Sequence, residues 1–574
     1  MKKIISVLLC ALIFISALTA CADNKGTSES SAATRDSAAE SKPKEPKLHT
    51  LTIRTEKKID EISAVFLNTS NGKTADVKMK KNGGDENNNI FSCEADVNLY
   101  NMVSVKYGEK SSMDVAFNSF VSGWNLEDDL LLPYVAGKNP VYDPKLETKV
   151  LKFDGRDKLV YIWKPKDYDK NADEKYPVIY MFDGQSIFTI GKDKGMDNDA
   201  VCWNVAEHVE SMMEATGNKA IVVGIENNDF YRWDELVPDL GEINTKDKPE
   251  GAKEEDLSKK RGSDFAKFVC DTVMPYVNEN YNVYTDPQHT ALAGASLGGL
   301  ETFYTVLSYP DRFGTGGVMS ATLDMYAEKE WNEFLKDKMN MENAPFLYFY
   351  AGKYNGDNGD ASQDIYNKLI ENGYAKDKLV FSKYESGDHM IDYWRSIYPE
   401  FLEAVYTHNV TGLEYAVPVK YKDTSDPLKQ ALEDLDINPD DIVPGYIYYD
   451  NSETKWDEVY AYWWGGMAFN SFTGEPYYFA EWPGFKMEQV DNTDIYRVKA
   501  PWGNTGIIFD SGVTDREVAE GKDAFQTTDL KYNNDLIGKV YKIDMSERPK
   551  ADPGAMKSKR RYSAGKWSDY SPEK

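Results

Sequence analysis

Between about Tyr142 and His408 the chain alternates two hydrophobic patterns. Residues 159–163, 177–182, 220–225, 290–293, 345–350 and 379–382 are short, almost wholly apolar runs. Between them, over 201–216, 263–276 and 391–406, apolar residues recur every three or four positions, which is the period of a helix with one buried face. Strands with no polar face, separated by amphipathic helices, predict a mainly parallel sheet covered on both sides. On either side of this region the period drops to two. Residues 50–54, 63–67 and 103–107 alternate, with turn signals such as Asn82-Gly83-Gly84 between them, and short aromatic-rich runs follow one another beyond Gly445. Each flank therefore predicts an all-β sandwich.

A chain of 574 residues is too long for one hydrophobic core. The expected division is a leader (1–21), a linker (22–47), an N-terminal β-sandwich (48–138), the α/β region (139–409), a charged connector (410–444), a second β-sandwich (445–546) and a mobile polar tail (547–574). Met1-Lys2-Lys3 precedes an apolar run over 4–17, which reads as an export signal and is too short for a membrane span. It closes on Leu18-Thr19-Ala20-Cys21, which is similar to the lipobox of bacterial lipoproteins. This predicts lipidation of Cys21 and a place on the outer face of a bacterial cell membrane, or secretion, with the lipid as the sole membrane contact. The Ser-, Ala-, Lys- and Glu-rich residues after it lack apolar periodicity and predict a disordered tether. A net charge of −28 argues against nucleic acid as a partner, because a phosphate backbone would be repelled. Outside the leader only Cys93, Cys202 and Cys270 remain. That odd, scattered set predicts neither a disulfide framework nor a metal or cofactor site.

The chemistry is carried by Gly294-Ala295-Ser296-Leu297-Gly298-Gly299. It follows a buried strand and opens an amphipathic helix, the setting of the nucleophile elbow of α/β-hydrolases. Small flanking residues let a serine hydroxyl stand clear of a strained turn, at the strand end where sites of such sheets form. The serine needs a base, and the base an orienting acid. Of five histidines, His389 alone lies just after a strand and downstream of Ser296, in the chain order that this fold uses. The acid belongs on the loop after 345–350, where Asp357 is the first candidate and Asp360 the second. The backbone N–H groups of Leu297 and of Gln185, in the turn after 177–182, are the expected oxyanion donors.

Four blocks occur in order: residues 176–185, 232–238, 294–299 and 386–389. Together they resemble the Putative esterase family, which includes esterase D, feruloyl esterases and enterochelin esterases. The resemblance covers about residues 145–408 and implies Ser296 as nucleophile and His389 as base. It also implies that the segment with Arg232 and Glu235 lines or braces the pocket. In many members a carboxylate stands where this chain has Asn355. Either Asp357 replaces it through a longer loop or activity is impaired.

The C-terminal region resembles the starch-binding modules of carbohydrate-binding family 26, on Trp482-Pro483-Gly484-Phe485-Lys486-Met487, Ile508-Phe509-Asp510 and Gln526-Thr527. The resemblance implies stacking of an α-glucan on exposed rings. Strand alternation puts Tyr460, Tyr462 and Trp464 on one face, and Tyr462, Trp464, Trp482 and Gln526 are the candidate ligand contacts. The combined expectation is a surface-anchored serine ester hydrolase that deacylates carbohydrate while held on starch. A non-catalytic starch-capturing lipoprotein and a siderophore trilactone esterase are the alternatives.

Overall fold

The computed structural model describes residues 46–84, 89–127, 129–134, 146–188, 202–227, 231–244, 258–339, 341–352, 357, 359–384, 387, 389–418, 444–464, 469–470, 482–503, 506–514, 517–518, 521–551 and 559–571. The leader, Cys21 and most of the expected tether lie outside these residues.

The apolar runs of the α/β region become a sheet with both faces buried. In chain order its strands are β1 (Glu147–Phe153), β2 (Arg156–Trp163), β3 (Val178–Met181), β4 (Ile221–Ile225), β5 (Thr290–Ala295), β6 (Thr315–Met319), β7 (Phe346–Ala351) and β8 (Leu379–Lys383). Their order in space is β1-β2-β4-β3-β5-β6-β7-β8. The pairs β1–β2 and β2–β4 are antiparallel, and from β4 to β8 every pair is parallel. Side chains alternate across the sheet. Val178 and Tyr180 pack with Leu300 and Phe303 of helix Leu297–Ser308 on one face. Ile179 and Met181 pack on the other with Val209 and Phe401, from helices Val205–Thr216 and Ile391–Thr407. A doubly covered parallel sheet is what the sequence pattern predicts.

β1 and β6 carry no such signal in the sequence. β1 is an edge strand with exposed polar positions, and β6 is Thr-Gly-Gly-Val-Met, where two glycines erase the strand propensity.

Near the N-terminus two antiparallel-rich sheets share one apolar cluster that includes Ile53, Phe66, Phe91, Val103 and Trp124. Met102, Ala116 and Phe120 from this region belong instead to the cluster around helix Ile391–Thr407. Polar contacts reinforce that junction. Asn101 Nδ2 donates to Glu400 Oε1 at 3.0 Å, and Asn118 Nδ2 to the Pro399 carbonyl at 2.9 Å.

Beyond residue 444, a five-stranded and a seven-stranded sheet bury Ile447, Tyr449, Ala461, Trp463, Phe509 and Tyr541 between them. The expected mobile tail is corrected here. Lys559–Tyr562 pairs with Ala524–Thr527, and Gly565–Asp569 pairs with Lys539–Ile543. Tyr562 is buried and Trp567 packs on the core. The basic residues around them hide two strands that each contribute a single large aromatic to the core.

Candidate active site

Three strands adjacent in the sheet, β3, β5 and β6, run into polar, non-glycine residues at positive φ: Asp183 (54°), Ser296 (59°) and Ser320 (42°). Such residues are uncommon and carry strain of about 1–3 kcal/mol each, so a surrounding structure must hold them.

Ser296 sits at φ 59°, ψ −125° between β5 and helix Leu297–Ser308. Its N–H donates to the Met319 carbonyl at 3.1 Å, and its own carbonyl accepts from Leu300 at 3.0 Å and Thr322 at 3.2 Å. The turn closes only because its flanks are small. A Cβ on Gly294 would lie 2.5 Å from the Gly298 oxygen, and one on Gly299 would lie 2.7 Å from the Met319 oxygen. The half-buried Ser296 hydroxyl lies 3.5 Å from Thr322 Oγ1. Leu297 opens the helix. First-turn N–H groups have no acceptor within a helix, and the positive end of the dipole favours an oxyanion there.

Gln185 lies in the turn Gly184–Ser186. Its side chain clasps the main chain of Asn227, with Nε2 donating to the Asn227 carbonyl at 3.0 Å and Oε1 accepting from Asn227 N–H at 3.1 Å. Asn227 Oδ1 accepts from Asp183 N–H at 3.0 Å, and Asn227 Nδ2 donates to Glu235 Oε2 at 3.1 Å. Glu235 is fully buried and accepts from Lys158 Nζ at 2.7 Å. It therefore braces the turn through Asn227. Arg232 grips Asp183 with both prongs, Nε to Oδ1 at 2.7 Å and Nη2 to Oδ2 at 2.9 Å.

His389 follows β8 on a loop packed against the end of β7. A Cβ on Gly387 would lie 2.6 Å from the Tyr350 hydroxyl oxygen and 2.8 Å from Gly352 Cα. The imidazole meets Trp394 edge-on, with ring centroids 5.2 Å apart at 82°. Burial, and then the positive charge of Arg232, push its pKa down from 6.5 to about 4, so at neutral pH the imidazole is uncharged. The other histidines are engaged elsewhere. His208 lies buried between Trp124 and Tyr398, His289 stacks on Tyr284, His408 stacks on Phe346, and His49 faces Phe117.

Of the two acid candidates, Asp357 is buried and Asp360 is exposed at the start of helix Gly359–Glu371. Asp357 Oδ2 accepts from Ser320 Oγ and from Gly352 N–H, both at 2.8 Å. Ser320 Oγ in turn accepts from Trp394 Nε1 at 2.8 Å. The serine, histidine and acid candidates are thus linked through shared neighbours. Ser296 bonds to Met319, the residue before Ser320, and Trp394 touches both His389 and Ser320. Sequence reasoning passed over Ser320 because β6 was unrecognised. Trp394 lies within a correctly expected helix, where an aromatic reads as core. Asn227 follows a predicted strand but belongs to no motif.

On the C-terminal seven-stranded sheet, Ala461 and Trp463 face the core while Tyr460 and Tyr462 are half-buried, as alternation requires. Tyr462 meets Trp482 at 5.6 Å, Trp482 Nε1 donates to the Val513 carbonyl at 3.1 Å, and Lys559 Nζ lies 4.9 Å from the Trp482 ring centroid. The pairings Tyr460–Asp510 and Asp510–Gln526 put Gln526 on the face of Tyr460 and Tyr462. Gln526 is buried, and its Oε1 has no hydrogen-bond partner among the described residues. The side chain of Trp464 lies outside the described residues. Among those described, no group of three or more His, Cys, Asp or Glu side chains could hold a metal ion.

Residues 154–397 match the family model described as Putative esterase. The match supports an ester hydrolase and spans Ser296, Asp357 and His389 with the strands that precede them. A Bacillus subtilis protein described as uncharacterized, YbbA, is 23% identical over 252 residues, covering 42% of this chain and 88% of its own length. An endo-1,4-beta-xylanase/feruloyl esterase of Xylanibacter ruminicola is 24% identical over 150 residues, which cover 26% of this chain and 19% of that protein. Among solved structures, the ferulic acid esterase of Anaeromyces mucronatus is similar at 18% identity and TM-score 0.35, covering 47% of this chain and 93% of its own. The enterobactin esterase of Shigella flexneri is similar at 15% identity and TM-score 0.35, covering 63% of this chain and 93% of its own.

Proposed function

We propose that this chain is an exported serine carboxylic-ester hydrolase that removes acyl groups from carbohydrate while held on starch or a related α-glucan. The observation that carries the catalytic reading is Ser296, a non-glycine residue at φ 59° between a buried parallel strand and the helix it opens. In this reading Ser296 Oγ attacks the ester carbonyl while His389 takes its proton, and Asp357 orients the imidazole. The N–H groups of Leu297 and Gln185 receive the oxyanion. Loss of one such donor typically costs about 3 kcal/mol in the barrier. The imidazolium of His389 then gives that proton to the sugar oxygen as its bond to the acyl carbon breaks, so the sugar leaves as a free hydroxyl, and water releases the acyl group from Ser296 by the reverse sequence. Arg232 and Glu235 hold the oxyanion turn through Asp183 and Asn227.

Two β-sandwich regions flank this unit. The C-terminal one would hold glucan on Tyr462, Trp464 and Trp482, with Gln526 as a polar contact, and Cys21 would carry the lipid anchor. The test compares wild type with Ser296→Ala on a generic acyl ester and then on acetylated and feruloylated oligosaccharides. The expected loss is on the order of 10³-fold or more, and equal rates would overturn the enzymatic reading. Retention on insoluble starch should survive Ser296→Ala and be lost on Tyr462→Ala.

A further inference from the structure

The second strained serine has no place in the reaction just described. Ser320 stands at φ 42°, directly after β6, and its N–H is tied to the Tyr350 carbonyl at 2.7 Å. Glycine would occupy that backbone conformation without a steric cost, so the hydroxyl itself needs a reason. It lies between two groups. Trp394 Nε1 donates to it and it donates to Asp357 Oδ2, each at 2.8 Å. An indole N–H can only donate. It therefore occupies a lone pair of Ser320 Oγ and turns the hydroxyl proton toward the carboxylate. With Gly352 N–H on the same oxygen, Asp357 Oδ2 receives two donors, which fix the carboxylate in rotation. The same indole abuts the His389 ring, whose Nδ1 is buried and has no hydrogen-bond partner among the described residues.

We propose that Trp394 and Ser320 form a positioning relay that sets the acid and the base of the site against each other. One side chain packs against the imidazole and, through a serine held in a strained conformation, also orients the carboxylate. The relay rests on the reading of His389 and Asp357 as base and acid. Trp394 and Ser320 are positioning residues, since neither touches the reacting atoms.

The test uses the full chain and steady-state hydrolysis of p-nitrophenyl acetate. Ser320→Gly removes the hydroxyl and relieves the backbone, while Trp394→Phe keeps a ring beside His389 and removes the N–H. Ser320→Gly should lower kcat about 10-fold or more, and Trp394→Phe about 3- to 10-fold. KM should stay within about twofold in both, as when an interaction made in the transition state is lost. Ser320→Gly should not lower Tm. Because the two act in series, the double variant should be no slower than Ser320→Gly alone. Rates within twofold of wild type, multiplicative losses in the double variant, or a kcat loss matched by a fall in Tm would each overturn the relay. Asp357→Asn separates the two levels. If it is inactive while Ser320→Gly and Trp394→Phe keep wild-type rates, the relay alone fails. If it keeps full activity, the acid assignment fails and the relay with it.

Discussion

Asp183, Ser296 and Ser320 each hold a polar side chain at a strand end in a conformation that side chains seldom adopt. Of the three, Asp183 bears on how the candidate base titrates, because it fixes Arg232. His389 is held low by burial and by Arg232, and Arg232 is itself fixed by Asp183. A base whose pKa is depressed stays unprotonated, and so competent, down to that lower value. The acid limb of kcat/KM should therefore fall well below pH 6.5, near the value of about 4 for His389. Arg232→Gln removes a positive charge and leaves the Asp183 carboxylate behind, and both changes favour the imidazolium. The limb should then move to higher pH, which a pH–rate profile of both proteins would show.

Helix Leu297–Ser308 presents its N-terminus to the site and packs its body into the core. Glu301 is a costly residue in that body. It is fully buried, Thr305 Oγ1 donates to one carboxyl oxygen at 3.1 Å, and desolvation raises its pKa well above 4.5. An unfolded chain ionises Glu301 above about pH 4.5 while the folded chain keeps it protonated. Its contribution to stability is thus full below that pH and is lost as pH rises toward the folded value. Glu301→Gln should abolish this loss, leaving Tm at pH 7 equal to or above that of wild type and unchanged at pH 4. Thermal melts at the two pH values would check it. A lower Tm at pH 7 would show that the carboxyl is needed for its shape or its bond to Thr305. The elements themselves were largely legible. Six of the eight sheet strands and the helices around 205–216 and 391–407 follow from apolar periodicity, because burial on one or two faces writes itself into consecutive residues. β6 does not, because its glycines serve close packing: a Cβ on Gly317 would lie 2.7 Å from the Phe401 ring.

Across the whole molecule, the apolar cores are shared unevenly. Met102, Ala116 and Phe120 of the N-terminal β region lie in the core around helix Ile391–Thr407, and Asn101 and Asn118 satisfy Glu400 and the Pro399 carbonyl of that helix. Tyr384, just before the His389 loop, donates to Asp114 of the same region at 2.5 Å. The C-terminal β region has its own cluster, drawn from residues 447–567. A chain starting at residue 146 should therefore be insoluble or inactive, whereas a chain ending at residue 418 should keep esterase activity on soluble esters and lose retention on starch. Expression, activity and starch sedimentation of the two truncations would decide. The chain order alone gave the alternating β/α architecture and the strand–Ser296–helix turn, and it singled out His389 as the candidate base by elimination, because each rests on local periodicity or on a short motif. Only the tertiary structure decided that Asp357 is buried beside Ser320 while Asp360 faces solvent, that Trp394 joins them, and that the basic C-terminus completes two sheets. It alone also joined Asn101 to Glu400, 299 positions away. A hydrogen bond fixes a distance in space and imposes no spacing along the sequence, so partners this remote leave no pattern for a single chain to display.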